Sequence, residues 1–154
     1  MRITLLCVGG LARAPEGRLA RGYADRASAT GRRLGLGPVE IREIDPRHGG
    51  KASEGVAIQA ALGGSHLIAC DRNGEMLTSQ RLAELLARIR DSGTRLLAFA
   101  IGGADGLDGR VLSAASHRLS FGPQTWPHGL ARVMLAEQIY RAASILAGAP
   151  YHRE

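Results

Sequence analysis

The feature that most restricts the fold of this chain is its regular alternation of strand-length apolar runs with helix-length segments. The strand-like runs lie at residues 3–8, 39–44, 66–71, 96–101 and 117–121. The run at residues 39–44 alternates apolar with charged side chains, which is typical of a half-exposed edge strand. Because the alternation contains no repeat and no linker, we predict one domain over residues 1–154. Its expected fold is a three-layer α/β domain with a mostly parallel sheet.

The last helical segment, predicted over residues 129–147, is apolar on nearly every side. Its polar positions form only a narrow stripe (Glu137, Gln138, Arg141 and Ser144). A surface helix needs one apolar side, so this helix is expected to be covered on two. We expect the sheet of the domain to cover one side and the same helix of a second copy to cover the other. The predicted assembly is a homodimer, with Leu135 and Ile139 at the contact between the copies.

Charge and composition narrow the functional classes. The net charge is +6 and the isoelectric point is near 10.3, which favours a polyanionic partner such as nucleic acid. No apolar run approaches the roughly 18 residues of a membrane helix, and the first ten residues do not form a secretory signal. We therefore expect a cytoplasmic protein. Cys7 and Cys70 lie in apolar runs, where a reduced buried thiol is expected, and no metal-ligand spacing is present.

Three loops are candidates for a ligand site, because parallel sheets bind ligands beyond the carboxyl ends of their strands. They are residues 70–74, 101–106 and 121–126. Glycines in the second loop let the backbone approach a ligand closely. That loop matches neither G-x-G-x-x-G nor G-x-x-x-x-G-K-[ST], so a nucleotide-dependent oxidoreductase or a P-loop phosphate site is disfavoured.

Three stretches resemble a known family: LLAFAIGGADG at residues 96–106, LSFGPQTWPH at residues 119–128 and LAEQIYRAASILAGAPYHRE at residues 135–154. Together they resemble the RlmH family of ribosomal RNA methyltransferases, which belongs to the SPOUT superfamily of knotted enzymes. The resemblance implies a C-terminal trefoil knot and a homodimer. It also implies S-adenosylmethionine-dependent methylation at N3 of a pseudouridine in 23S ribosomal RNA, with assembled ribosomes as substrate and no metal.

The resemblance also implies which residues form the site. It implies that the methyl donor is held by Cys70, by Gly102 and by the hinge at residues 121–126 (Phe121, Gly122, Pro123, Gln124, Thr125 and Trp126). Candidates for assisting proton removal are His128 and the tail residues Tyr151 and His152. Arg153 and Arg132 are candidates for holding a phosphate or a developing negative oxygen. The general base is not assigned.

A non-catalytic RNA-binding or ribosome-binding module with a vestigial pocket is the alternative. The positive charge fits both functions, whereas the apolar hinge and Gly102 favour an occupied pocket. Calorimetry with S-adenosylmethionine distinguishes the two.

Overall fold

The computed structural model describes residues 1–11, 13–45 and 49–151. Five strands and five α-helices alternate along these residues. The strands are β1 (Arg2–Val8), β2 (Val39–Ile44), β3 (His66–Met76), β4 (Leu96–Ile101) and β5 (His117–Ser120). The helices are α1 (Pro15–Gly31), α2 (Lys51–Leu62), α3 (Ser79–Asp91), α4 (Gly109–Ala114) and α5 (His128–Leu146). A short 3₁₀ turn, Arg32–Leu34, follows α1.

The five strands form one sheet in the order β2-β1-β4-β3-β5, and every pair is parallel. The central register aligns Leu5 with Ile41 on one side and with Phe99 on the other. The predicted parallel α/β fold is therefore confirmed, and so is the edge position of β2. The carboxyl ends of β3, β4 and β5 lie side by side, which brings the three predicted ligand loops together.

Helices cover both faces of the sheet. The core on one face joins α1, α3 and α5 to the strands, and the core on the other face joins α2 and α4 to them. Leu135 and Ile139 of α5 are fully buried in the first core. Their predicted position at a contact between two copies is wrong, because the domain's own sheet and helices already cover them. The expectation that the sheet covers one side of α5 is confirmed.

Strand β3 is longer than the apolar run predicted. It continues to Met76 through a bulge, so that Leu119 of β5 pairs with both Cys70 and Glu75. The residues between these two partners form the bulge and remain part of β3. None of the described helices is long and apolar enough to cross a membrane.

Candidate functional site

A cavity of about 460 Å³ opens at the carboxyl ends of β3, β4 and β5. All three predicted ligand loops line it, together with the first turns of α2 and α5. Of the residues predicted to hold a methyl donor, those on the wall are Cys70, Gly102, Phe121, Gly122, Gln124, Thr125 and Trp126. Pro123 lies between two of them in the chain but is not part of the wall. The structure thus gathers most of the predicted binding residues around one concave space.

The loop after β4 is a tight glycine turn. A Cβ atom on Gly102 would lie 2.6 Å from the carbonyl carbon of Gly106, which is closer than side chains are found to approach backbone. The turn is closed by a bridge between Gly103 and Gly106. Glu54 of α2 accepts a hydrogen bond of 3.2 Å from the Gly103 N–H. The backbone of this turn therefore forms one wall of the cavity, with Gly102 packed closely against Gly106 and the Gly103 N–H bound by Glu54.

The other two loops are tied to each other. The Ser120 hydroxyl donates to the carbonyl oxygen of Arg72 over 3.1 Å. Gly74 lies directly against the backbone of β5, where a Cβ atom would approach Arg118 to 2.7 Å. At the far end of the hinge, the Trp126 indole N–H donates to the Phe121 carbonyl oxygen at 3.3 Å. These contacts fold residues 121–126 back over the cavity.

The free thiols of Cys7 and Cys70 are both unreactive at neutral pH. Burial raises the pKa of the Cys70 thiol far above its ordinary value, so this wall residue is uncharged at neutral pH. Burial also raises the pKa of Cys7, in β1, to about 12. Neither thiol is therefore a nucleophile at neutral pH, because the thiolate is the reactive form. Cys70 contributes surface to the cavity instead of reactivity.

His128 and Arg132 lie in the first two turns of α5 but have different environments. His128 lines the cavity, beside the backbone of Gly9. Arg132 is only 1% exposed, and it donates to Glu43 and to the carbonyl oxygen of Gly9, each over 2.9 Å. Its guanidinium therefore joins α5 to the ends of β1 and β2. The prediction that Arg132 is available to a substrate phosphate is wrong, because its donors face the interior.

Tyr151 lies away from the cavity, against the outer side of α5. Its hydroxyl donates to Glu137 over 3.1 Å, and its ring centroid lies 4.3 Å from that of Tyr140. Burial raises the pKa of Tyr151 to about 12, with further contributions from Tyr23 and Glu137. At neutral pH the phenol is therefore protonated and does not act as a base in this arrangement. His152 and Arg153 lie outside the described residues.

Glu137 lines a second concavity, which we call the α1–α5 groove. It has a volume of about 560 Å³ and lies between α1, the first turn of α3, α5 and the hinge. Its lining is mainly apolar and includes Leu19, Met76 and Met134. Leu119, Phe121 and Gly122 line both the groove and the cavity, so the two spaces share one wall.

Some wall residues of the cavity lie outside the three predicted loops. They are Lys51 of α2, Leu112 of α4, Arg118 of β5 and Ala131 of α5. Periodicity did not single them out, because each belongs to a regular element whose position depends on tertiary packing. The one available signal was that Lys51 is the chain's only lysine. Within the described ranges, no three His, Cys, Asp or Glu side chains come together to hold a metal ion.

Comparison with known proteins gives consistent relatives. Residues 1–152 match the family model described as "Predicted SPOUT methyltransferase". The chain is 55% identical over 154 residues to the ribosomal RNA large subunit methyltransferase H of Phenylobacterium zucineum (strain HLK1), with 100% of both chains covered. It is 56% identical over 154 residues to the protein of the same name from Caulobacter sp. (strain K31), again with 100% of both covered.

Two solved structures share the fold at low sequence identity. The first is a probable methylase family protein from Haemophilus influenzae Rd KW20, with a TM-score of 0.55 and 14% identity over 99% of this chain and 70% of that one. The second is a probable methyltransferase from Bordetella pertussis Tohama I, with a TM-score of 0.54 and 18% identity over 92% of this chain and 96% of that one.

Proposed function

This chain belongs to the SPOUT methyltransferase family, and from that premise we propose that its cavity binds S-adenosylmethionine and delivers the methyl group to large-subunit ribosomal RNA. The parallel sheet covered by helices on both faces is the α/β architecture of this family, whose methyl donor is S-adenosylmethionine, and we propose that the C-terminal segment forms the trefoil knot of the family. The observation that carries the proposal is the convergence of the three loops at residues 70–74, 101–106 and 121–126 on one cavity. We further propose that residues 1–154 form a single methyltransferase domain.

The cavity suits the chemistry of the donor. Its volume of about 460 Å³ falls within the range of small-molecule sites, which is roughly 300–1,000 Å³. Phe121 and Trp126 supply apolar surface for a flat adenine, and the Gly102 turn supplies backbone donors and acceptors for its polar edge. The carboxylates of Asp71 and Asp105 on the wall favour the positive sulfonium and ammonium groups of the donor.

The proposed acceptor is N3 of a pseudouridine in 23S ribosomal RNA, in the assembled ribosome of the cytoplasm. S-adenosylmethionine, which Gly102 and the hinge at residues 121–126 would hold in the cavity, would supply the methyl group to this nitrogen. The nitrogen must also lose its proton. In-line displacement depends chiefly on holding the two reactants in register, and the hydrogen bonds that tie the cavity loops together serve this positioning.

His128 is the imidazole on the cavity wall among the described residues, and we propose that it assists the acceptor's proton loss together with the tail. Tyr151 is protonated where it lies, so its proposed contribution is to anchor the tail through Glu137. His152 and Arg153 follow directly after this anchor in the chain. Their proposed task is to contact the RNA.

The decisive experiment combines binding with turnover. Isothermal titration with S-adenosylmethionine should give one saturable site. Ribosomes from cells lacking this protein should then gain one labelled methyl group, located by mass spectrometry of the ribosomal RNA. Undetectable donor binding would instead support the non-catalytic RNA-binding module with a vestigial pocket. Donor binding without methylation of ribosomal RNA would exclude the proposed substrate.

We also propose that the chain is a homodimer joined through the outer faces of α1 and α5. Leu19 is 50% exposed and lines the α1–α5 groove, and Leu130 is 42% exposed on the first turn of α5. Exposed apolar side chains beside an apolar groove are typical of an interface. Leu19→Asp and Leu130→Asp should therefore yield monomers in analytical sedimentation. Val56→Asp, at a residue 54% exposed on the opposite face, is the matched control and should stay dimeric.

A further inference from the structure

We propose that Lys51, Arg72 and Arg118 form a phosphate-binding edge of the cavity, which we call the basic rim. It would hold the backbone of the RNA strand whose nucleotide enters the cavity. This inference rests on the proposed function, since it requires an RNA substrate. It adds the side from which the RNA approaches and the residues that hold it.

The three cations come from separate elements and line one cavity. Lys51 is the first residue of α2, Arg72 lies in the bulge of β3, and Arg118 lies in β5. All three are exposed. Among the described residues, none of the three makes an ion pair with a carboxylate, in contrast to Arg132 and Arg141, whose guanidiniums are paired. The rim therefore presents three positive side chains without a direct ion pair to a described residue at the mouth of the cavity, although Asp71 and Asp105 lie on the same wall and Asp108 lies near Lys51.

Arg118 has a defined position on this rim. Its guanidinium donates to the carbonyl oxygen of Leu112 in α4 over 3.2 Å, which uses one of its five N–H groups. The remaining N–H groups keep the planar fork that matches two oxygens of a phosphate. Lys51 lies at the start of α2, where the helix dipole also favours an anion. Both features suit a negatively charged group at the rim.

The charge of S-adenosylmethionine argues against the methyl donor being the ligand of all three rim cations. S-adenosylmethionine carries a sulfonium and an ammonium against a single carboxylate. Three positive side chains around such a ligand would repel its sulfonium. A polynucleotide carries one negative charge per nucleotide, so it matches several cations spaced along a cavity mouth. The shared chemistry is an oxyanion, and RNA phosphate is the source that fits the number of charges.

The rim also lies on a different side of the molecule from the proposed dimer contact. Arg118 meets α4, and Lys51 begins α2, on the sheet face opposite the α1–α5 groove. A second copy on the groove therefore leaves the rim open. RNA held at the rim crosses the cavity mouth, where a nucleotide turned out of its stack can reach the bound donor.

The test removes one rim charge at a time. The variants are Lys51→Gln, Arg72→Gln and Arg118→Gln in the full chain. Arg33→Gln is the matched control, because Arg33 is exposed on the 3₁₀ turn at the opposite, amino end of the sheet. For each variant, the Kd for S-adenosylmethionine is measured by calorimetry. The KM for ribosomes and the Kd for a labelled single-stranded ribosomal RNA fragment are measured at several KCl concentrations.

Each rim variant should raise the RNA Kd and the ribosome KM roughly threefold to tenfold while leaving the donor Kd unchanged. Each lost phosphate contact should also lower the slope of log Kd against log salt by about 0.7. Rim variants that behave like Arg33→Gln would overturn the proposal. A raised donor Kd with unchanged RNA affinity would also overturn it, because the cations would then bind the donor's carboxylate. If the wild type methylates no ribosome, the proposed function fails, and the RNA fragment still tests the rim.

Discussion

Replacing Arg132 tests whether its ion pair with Glu43 holds α5 to the ends of β1 and β2. The guanidinium is 1% exposed, and its partner Glu43 has a side chain that is 31% exposed. Arg132 also donates to the carbonyl oxygens of Gly9 and Val8, while Glu43 accepts from the Leu11 N–H over 2.7 Å. The pair therefore joins α5 to the loop after β1 and to the end of β2. Arg132→Met removes the bonds that the guanidinium makes, leaves the bond from Leu11 to Glu43 in place, and keeps an unbranched apolar chain.

The expected loss of stability follows from the two short bonds. Hydrogen bonds to charged groups contribute about 1.5–3 kcal/mol each, and Arg132 makes two at 2.9 Å. Breaking a buried pair by removing one partner typically destabilises by about 3–5 kcal/mol. Because water reaches Glu43, the lower part of that range is expected for Arg132→Met, about 3 kcal/mol. Glu43→Gln retains an acceptor for Leu11 but leaves the buried charge unpaired, so a similar loss is expected.

Urea unfolding of the two single variants and the double variant gives the coupling directly. If the pair is the link, the double variant should lose about 1–3 kcal/mol less than the sum of the single losses. Arg141→Met is the control on the same helix, because its i,i+4 pair with Glu137 is partly exposed and should contribute below about 1 kcal/mol. Strict additivity of the two losses, or an Arg132→Met loss no larger than that of Arg141→Met, would refute the reasoning.

Three other predictions concern the site and its surroundings. Gly102→Ala should abolish donor binding in calorimetry while the chain stays folded, because its Cβ atom would lie 2.6 Å from backbone of the facing turn; an unchanged Kd would contradict this. Burial and the neighbouring His117 lower the pKa of His66, so the unfolded chain binds more protons and stability falls as pH drops below about 6.5. His66→Leu should flatten this fall in Tm between pH 7 and 5, and an unchanged profile would be the contrary result. Tyr151→Phe should slow methyl transfer but spare donor binding, because it frees the tail from Glu137; wild-type turnover would remove that anchor from the mechanism.

The sequence predicts the sheet well because strand signals are local. The apolar run of β4 and the alternating pattern of β2 are each legible within six residues, and both strands occupy their expected places. The turn signal at residues 72–75 is also local, but it marks a bulge that stays attached to β5. Whether a turn leaves a sheet depends on the neighbouring strand, which lies more than forty residues away in the chain.

The partners of charged side chains are harder to predict from the sequence than the strands are. Arg132 and Glu43 are 89 residues apart in the sequence, so nothing near either residue indicates that one neutralises the other. Leu135 and Ile139 share the apolar character of Leu130, and periodicity alone does not say which side of α5 meets the sheet. Their burial is decided by the rotation of the helix on its neighbours, which is a property of the packed domain.

The shared wall between the groove and the cavity connects assembly to donor binding. Phe121 and Gly122 line both the groove and the cavity. Gly122 has a positive φ of 107°, which residues other than glycine rarely adopt. A partner seated in the α1–α5 groove therefore contacts the same short segment that covers the donor. The Ser120 hydroxyl and the Trp126 indole each hydrogen-bond to the hinge backbone. We therefore expect a partner bound in the groove to move the hinge and so change the shape of the cavity. A monomeric variant such as Leu19→Asp should then bind the donor more weakly than the dimer, although Leu19 does not line the cavity; equal donor affinity in both would separate the two spaces.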